Sequence, residues 1–118
     1  MTKLFWLATF AAAAMIPGMS QTPVGDAANG KRLFLRDGCY ECHGYAGQGG
    51  RDGARIATIG LNPQGLIRYV RAPAGAMPAY TDKVISDQEL TDIHAYLQTL
   101  PKAKPVKDIP LLNALEKK

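Results

Sequence analysis

Cys39 and Cys42 are the only cysteines in the chain; two residues separate them, and His43 follows directly. That spacing lets both sulfurs reach one face of a porphyrin, each thiol adding across one vinyl group. The adjacent imidazole then lies under the iron as proximal ligand. Cys-x-x-Cys-His is the attachment signature of c-type haem. Three other chemistries use the same pair. A dithiol redox centre wants a βαβ setting, which the sequence does not offer. Tetrahedral zinc needs two further ligands, and His94 is the only other histidine. A structural disulfide gives the trailing histidine no purpose. The pentapeptide therefore points to one covalent haem c, held by Cys39 and Cys42 with His43 on the iron.

The opposite axial ligand follows from what the chain has left. Met1-Thr2-Lys3 is a short positive start, and an apolar run from Leu4 to Ile16 follows. Pro17 breaks that run, and Gly18-Met19-Ser20 supplies small residues for cleavage. The run is shorter than the ~20 residues of a membrane span, so residues 1–20 read as a signal peptide cut after Ser20. An uncleaved anchor is the rival reading. Export suits the chemistry, because bacteria attach haem covalently outside the cytoplasmic membrane; the expected location is the periplasm. With the leader gone, Met77 is the only methionine. It stands in the proline-punctuated segment Ala72 to Tyr80, where backbone can be aimed at a cofactor. Its plain alternative is gap-filling in a core. His94 sits mid-helix beside an apolar stripe and reads as a boundary residue. His43 and Met77 are the expected axial pair, a pairing that raises the potential of haem iron.

These residues need a scaffold. Removal of the leader leaves 98 residues, one small domain over 21–101 and a Lys/Pro-rich tail over 102–118. Chains this short fold alone only marginally, and haem offers a large apolar surface to condense around. The formal charge of +4 becomes +3 without Lys3, too weakly basic for a nucleic-acid binder. Asp26 is a good N-cap for a helix over about Ala27 to Arg36. From Gly44 to Gly60 the chain is glycine-rich, without the pattern of a phosphate-binding loop. Glycines there let backbone pass close to a flat cofactor. Asn62-Pro63 reads as N-cap and first helical position of a helix to Arg71, with Leu66, Ile67 and Val70 inward. Ser86 and Glu89 form a capping box for a last helix that Pro101 stops. Its Leu90, Ile93, Leu97 and Leu100 make one apolar stripe. No strand pattern competes, so the fold class is all-α, with about three to four helices. In the tail, Leu111 to Leu115 form a short apolar turn expected to wrap over the body.

Taken together, the motifs resemble those of a class I mono-haem cytochrome c of the small bacterial periplasmic kind, from about Gly25 to Pro101. Gly30 and Phe34 are similar to the glycine and aromatic of that family's N-terminal helix, and Ala95-Tyr96-Leu97 to its C-terminal helix. The resemblance implies that these helices cross near-perpendicularly, with Gly30 allowing close approach and Phe34 meeting Tyr96. It also implies a carbonyl, usually a proline's, that accepts a hydrogen bond from the proximal imidazole. Here the stretch is Gly53-Ala54-Arg55, so Ala54 inherits that role without proline's rigidity. In similar proteins arginines near these motifs neutralise haem propionates, which makes Arg55 and Arg71 candidates. Tyr80 and Tyr69 are expected at the crevice.

With both axial positions filled by protein, and no carboxylate pair or nucleophile–base couple elsewhere, the expected function is electron transfer and not catalysis. Partners are expected to be redox proteins: a dehydrogenase donor, and an oxidase or other cytochrome acceptor. They would dock transiently on a monomer, with Arg51, Arg68, Arg71 and Lys83 as a basic rim. Two alternatives stand beside this: a dedicated subunit or acceptor of one dehydrogenase, and an open-site haem protein that senses gas or does peroxidatic chemistry.

Overall fold

Local capping chemistry starts each helix of the body. The Asp26 carboxylate accepts the N–H groups of Ala28 and Asn29 at 2.8 and 3.1 Å, opening α1 (Ala27–Arg36). Asn62 accepts from Gly65 N–H at 2.7 Å, and Pro63 begins α3 (Pro63–Arg71). Ser86 and Glu89 exchange the reciprocal bonds of a capping box at α4 (Asp87–Thr99). These three helices follow the boundaries their caps predict. Between them lies α2 (Cys39–His43), a single turn that carries the attachment pentapeptide. A 3₁₀ turn (Val106–Asp108) and α5 (Pro110–Glu116) follow in the tail. The computed structural model describes residues 24–116; the expected leader and its cleavage site lie outside them. Among the described residues there is no strand, and the fold is all-α.

The α1–α4 crossing organises the body. A Cβ on Gly30 would stand 1.9 Å from the Asp92 carbonyl oxygen, so no larger residue fits at this point. Glycine inside a helix costs about 0.5–1 kcal/mol relative to alanine; the backbone contact it permits explains its presence. One turn on, Phe34 meets Tyr96 with ring centroids 5.5 Å apart and planes tilted by 59°, an arrangement that aromatic rings favour. Leu33, Phe34, Leu90 and Leu97 are fully buried here. The inward face of α3, Leu66, Ile67 and Val70, closes the core against α4.

A buried carboxylate locks the same crossing. Asp92 accepts from Asp26 N–H at 2.9 Å, Asn29 Nδ2 at 2.8 Å and Gln88 Nε2 at 3.0 Å. Burial alone would raise its pKa. The three donors outweigh that effect and hold the carboxyl below its ordinary range.

The tail departs from expectation. Among the helical elements α5 packs only on the 3₁₀ turn, and Leu111, Leu112 and Leu115 are exposed. Residues 101–108 are exposed throughout. Pro101 and Pro105 lack the N–H that could tie this stretch to the body. Its fastening near the body is the Pro101 carbonyl, which accepts from Arg55 Nη2.

Candidate haem site

Helix α2 puts three functional side chains within one turn. Gly38 takes a left-handed conformation, φ 71°, and turns the chain out of α1 into Cys39. Cys39 is half-buried and Cys42 exposed. Burial pushes the Cys39 thiol up to about 11, and the nearby charge of Asp37 adds to the effect. A dithiol redox centre needs the opposite, a thiolate near neutral pH. The local environment thus disfavours the thioredoxin-like alternative.

The glycine-rich loop returns beneath this helix. Gly49 N–H donates to the His43 carbonyl at 2.8 Å, and Ile56 and Ala57 both donate to the Gly47 carbonyl. Gly53 passes so close that a Cβ there would lie 2.6 Å from the Cys42 carbonyl oxygen. Glycine here serves the approach of backbone to α2. The next residue makes the decisive contact: His43 Nδ1 lies 2.6 Å from the Ala54 carbonyl oxygen. A carbonyl only accepts, so Nδ1 carries the proton. In the neutral ring Nε2 is then a bare lone pair, fit for a metal. The departure from proline at Ala54 leaves the carbonyl in place.

Cys39, Cys42, His43 and Met77 all line one cleft of about 890 Å³, the size range of cofactor pockets. Its wall is the helix core itself, including Phe34, Leu66, Val70, Leu90, Ile93 and Leu97. Met77 is half-buried and packs against this cluster. Two thiols, an imidazole with a free lone pair, a thioether and a broad apolar wall are a donor set and surface that fit haem. His94 stands elsewhere: its Nε2 donates to the Leu61 carbonyl at 2.7 Å, and it does not line this cleft. Among the described residues no three His, Cys, Asp or Glu side chains gather as a metal site, which leaves zinc without its further ligands.

The remaining candidates divide by position. Ala54, Arg55, Tyr69 and Tyr80 line the cleft. Burial raises the Tyr80 phenol above its ordinary pKa, and its hydroxyl reaches the Asp37 carbonyl only at 3.5 Å. Gly30 and Tyr96 hold the helix crossing outside the cleft. Arg71 stands apart from these. It does not line the cleft; its Nη1 donates to the Tyr80 carbonyl at 2.9 Å, and its Nη2 to the Ile85 carbonyl at 2.8 Å and Asp87 at 2.6 Å. Three of its five N–H donors thus go to its own chain. Of the expected basic rim, Arg51, Arg68 and Lys83 are exposed and Arg71 half-buried, with Arg51 paired to Asp52 and Arg71 to Asp87. Sequence reasoning missed Asp92, whose donors on Asp26 and Asn29 come from the other helix and are brought to it only by the fold.

Residues 25–97 match the family model described as cytochrome C oxidase, cbb3-type, subunit III. The chain is similar to the menaquinol:cytochrome c reductase cytochrome c subunit of Bacillus subtilis (strain 168), 31% identical over 70 residues. That alignment covers 59% of this chain and 27% of the relative. No solved structure matches.

Proposed function

The chain belongs to the cytochrome c family described as cytochrome c oxidase, cbb3-type, subunit III, and we propose from that premise that it is a periplasmic single-electron carrier with His43 and Met77 as axial ligands. The family's cofactor is haem c, covalently attached, and electron transfer is its chemistry. The observation that carries the finer reading is the His43 Nδ1 to Ala54 contact. It fixes the tautomer and ring orientation and leaves Nε2 for iron in the cleft that Met77 also lines.

Bound haem supplies a one-electron couple. The chain's own residues do the rest. Cys39 and Cys42 anchor the macrocycle covalently. Ala54 holds the imidazole, and a carbonyl partner on the far nitrogen raises ligand basicity. The apolar wall from α1, α3 and α4 excludes water. Met77, which lines the cleft, would be the second protein ligand of the iron, and a small molecule would then have to displace it. Arg55, which lines the cleft together with Arg36, would pair with the haem propionates. Partners dock transiently where the cleft opens.

The test is carbon monoxide added to the dithionite-reduced holoprotein. No change in the visible spectrum is expected, as a filled sixth position requires. Rapid binding would overturn the carrier reading in favour of an open-site sensor or peroxidatic protein. A second reading, permanent subunit of a reductase, is favoured by the Bacillus relative, which is named as such a subunit. Native-size chromatography of a detergent extract separates the two: a free carrier elutes as a monomer.

A further inference from the structure

The segment bearing Met77 is fastened at its two ends and not between them: Ala72 N–H donates to the Arg68 carbonyl at 3.2 Å, where α3 ends. Among the described residues no hydrogen bond fastens 73–79, although these residues must present the thioether to the cleft. The first fixed point after them is Tyr80. Both of its backbone groups are tied to the last turn of α3: its N–H donates to the Val70 carbonyl at 3.1 Å, and its carbonyl accepts from Arg71 Nη1 at 2.9 Å. Arg71 Nη2 then reaches the carbonyl of Ile85, a fully buried residue, at 2.8 Å. Thus one guanidinium ties Tyr80 to Ile85 across the end of the strap 72–85, and Asp87, exposed at the start of α4, also accepts from it at 2.6 Å.

We propose that Arg71 is a positioning residue for the axial methionine, clamping the Tyr80 and Ile85 carbonyls so that Met77 stays in the haem cleft. The inference rests on the His43/Met77 reading. The planar, always-charged fork suits the task because one side chain donates in two directions at once. Hydrogen bonds to a charged donor are the stronger kind, and removing the donor leaves two carbonyls without it. The strap would then sample positions with Met77 withdrawn. Its exposed ion pair with Asp87, whose side chain is 67% accessible, contributes little by itself.

The experiment measures the rate of carbon monoxide association to reduced holoprotein, with circular dichroism and thermal unfolding run in parallel. The variants are R71M, which keeps the apolar stem and loses every donor, R71K, D87N and M77A. A clamp predicts R71M to bind carbon monoxide at least about tenfold faster than wild type, equivalent to about 1.4 kcal/mol. Its methionine-to-iron charge-transfer band should weaken at temperatures where the helices remain native. R71K, with one point donor, should fall between, and D87N should stay within about twofold of wild type. M77A sets the open-site limit. R71M as inert as wild type would overturn the clamp, as would D87N as fast as R71M. Should R71M fail to fold, R71K decides: faster binding than wild type supports the clamp, an unchanged rate overturns it. Fast binding by wild type itself refutes the Met77 reading instead, and the inference falls with it.

Discussion

Substituting alanine for Gly30 probes the packing on which the cleft depends. The new Cβ would stand 1.9 Å from the Asp92 carbonyl oxygen, 2.4 Å from its carbon and 2.9 Å from Ile93 N. All three are backbone atoms, so no side chain can rotate away. Ordinary contact requires α1 and α4 to part by about 1.5 Å. That separation unpacks Phe34 from Tyr96 and draws Asp92 from its donors on Asp26 and Asn29. Overpacking costs about 1–3 kcal/mol, and each weakened bond to the charged carboxylate adds about 1 kcal/mol. Against this, alanine regains up to about 1 kcal/mol of helix propensity. The net expectation is a loss of about 3 kcal/mol, or roughly 10–25 °C in Tm for a domain of this size. Urea and thermal unfolding of the holoprotein, followed by circular dichroism, measure it. Gly60→Ala is the control, because a Cβ there meets nothing within 4 Å; its effect should stay within about 0.5 kcal/mol. A G30A protein within about 0.5 kcal/mol of wild type would refute the close-crossing argument.

Three further outcomes follow from the same contacts. Asp92→Asn should cost about 2–4 kcal/mol at neutral pH, since it turns amide hydrogens toward existing donors. Because the native carboxyl is held below its ordinary range, the unfolded chain protonates first as pH falls. Its stabilisation is complete at neutral pH and is lost through the acid range toward the depressed native value; D92N should flatten that limb, and equal acid slopes would count against the lock. Tyr96→Phe should cost under about 1 kcal/mol, because its hydroxyl reaches the Tyr45 carbonyl only at 3.4 Å, whereas Tyr96→Ala should cost about 3 kcal/mol. Removing 104–118 keeps the Arg55–Pro101 contact and should change the unfolding free energy by no more than about 0.5 kcal/mol. A larger loss in chemical denaturation would mean that the tail packs on the body after all.

Much of the scaffold was legible because its signals are local. Asp26, Asn62-Pro63 and the Ser86/Glu89 pair each satisfy N–H groups within three residues, so their helices start where the caps stand. Of the expected α4 stripe, Leu90, Ile93 and Leu97 are buried, whereas Leu100 caps the helix end and is half-buried, and Thr91, Asp92 and Tyr96 complete the buried face. Gly30, Phe34 and Tyr96 were found by resemblance, and the backbone contact and ring pair give that resemblance its physical content. The tail was not legible, since Leu111, Leu112 and Leu115 form an apolar face whether or not anything covers it.

The attachment pentapeptide, the bounds of α1, α3 and α4 and the expectation that falls on Met77 needed no third dimension. Each depends on residue types and spacings within a few positions, or on a count over the chain. What Arg71 does was decided only by the fold. Its acceptors are the main-chain carbonyls of residues 80 and 85, which every residue type possesses and no sequence pattern marks. The tautomer of His43 is of the same kind: it depends on where the backbone of Ala54 returns. Side-chain chemistry is written in the sequence, but the backbone partners that direct it exist only once the chain has folded back on itself.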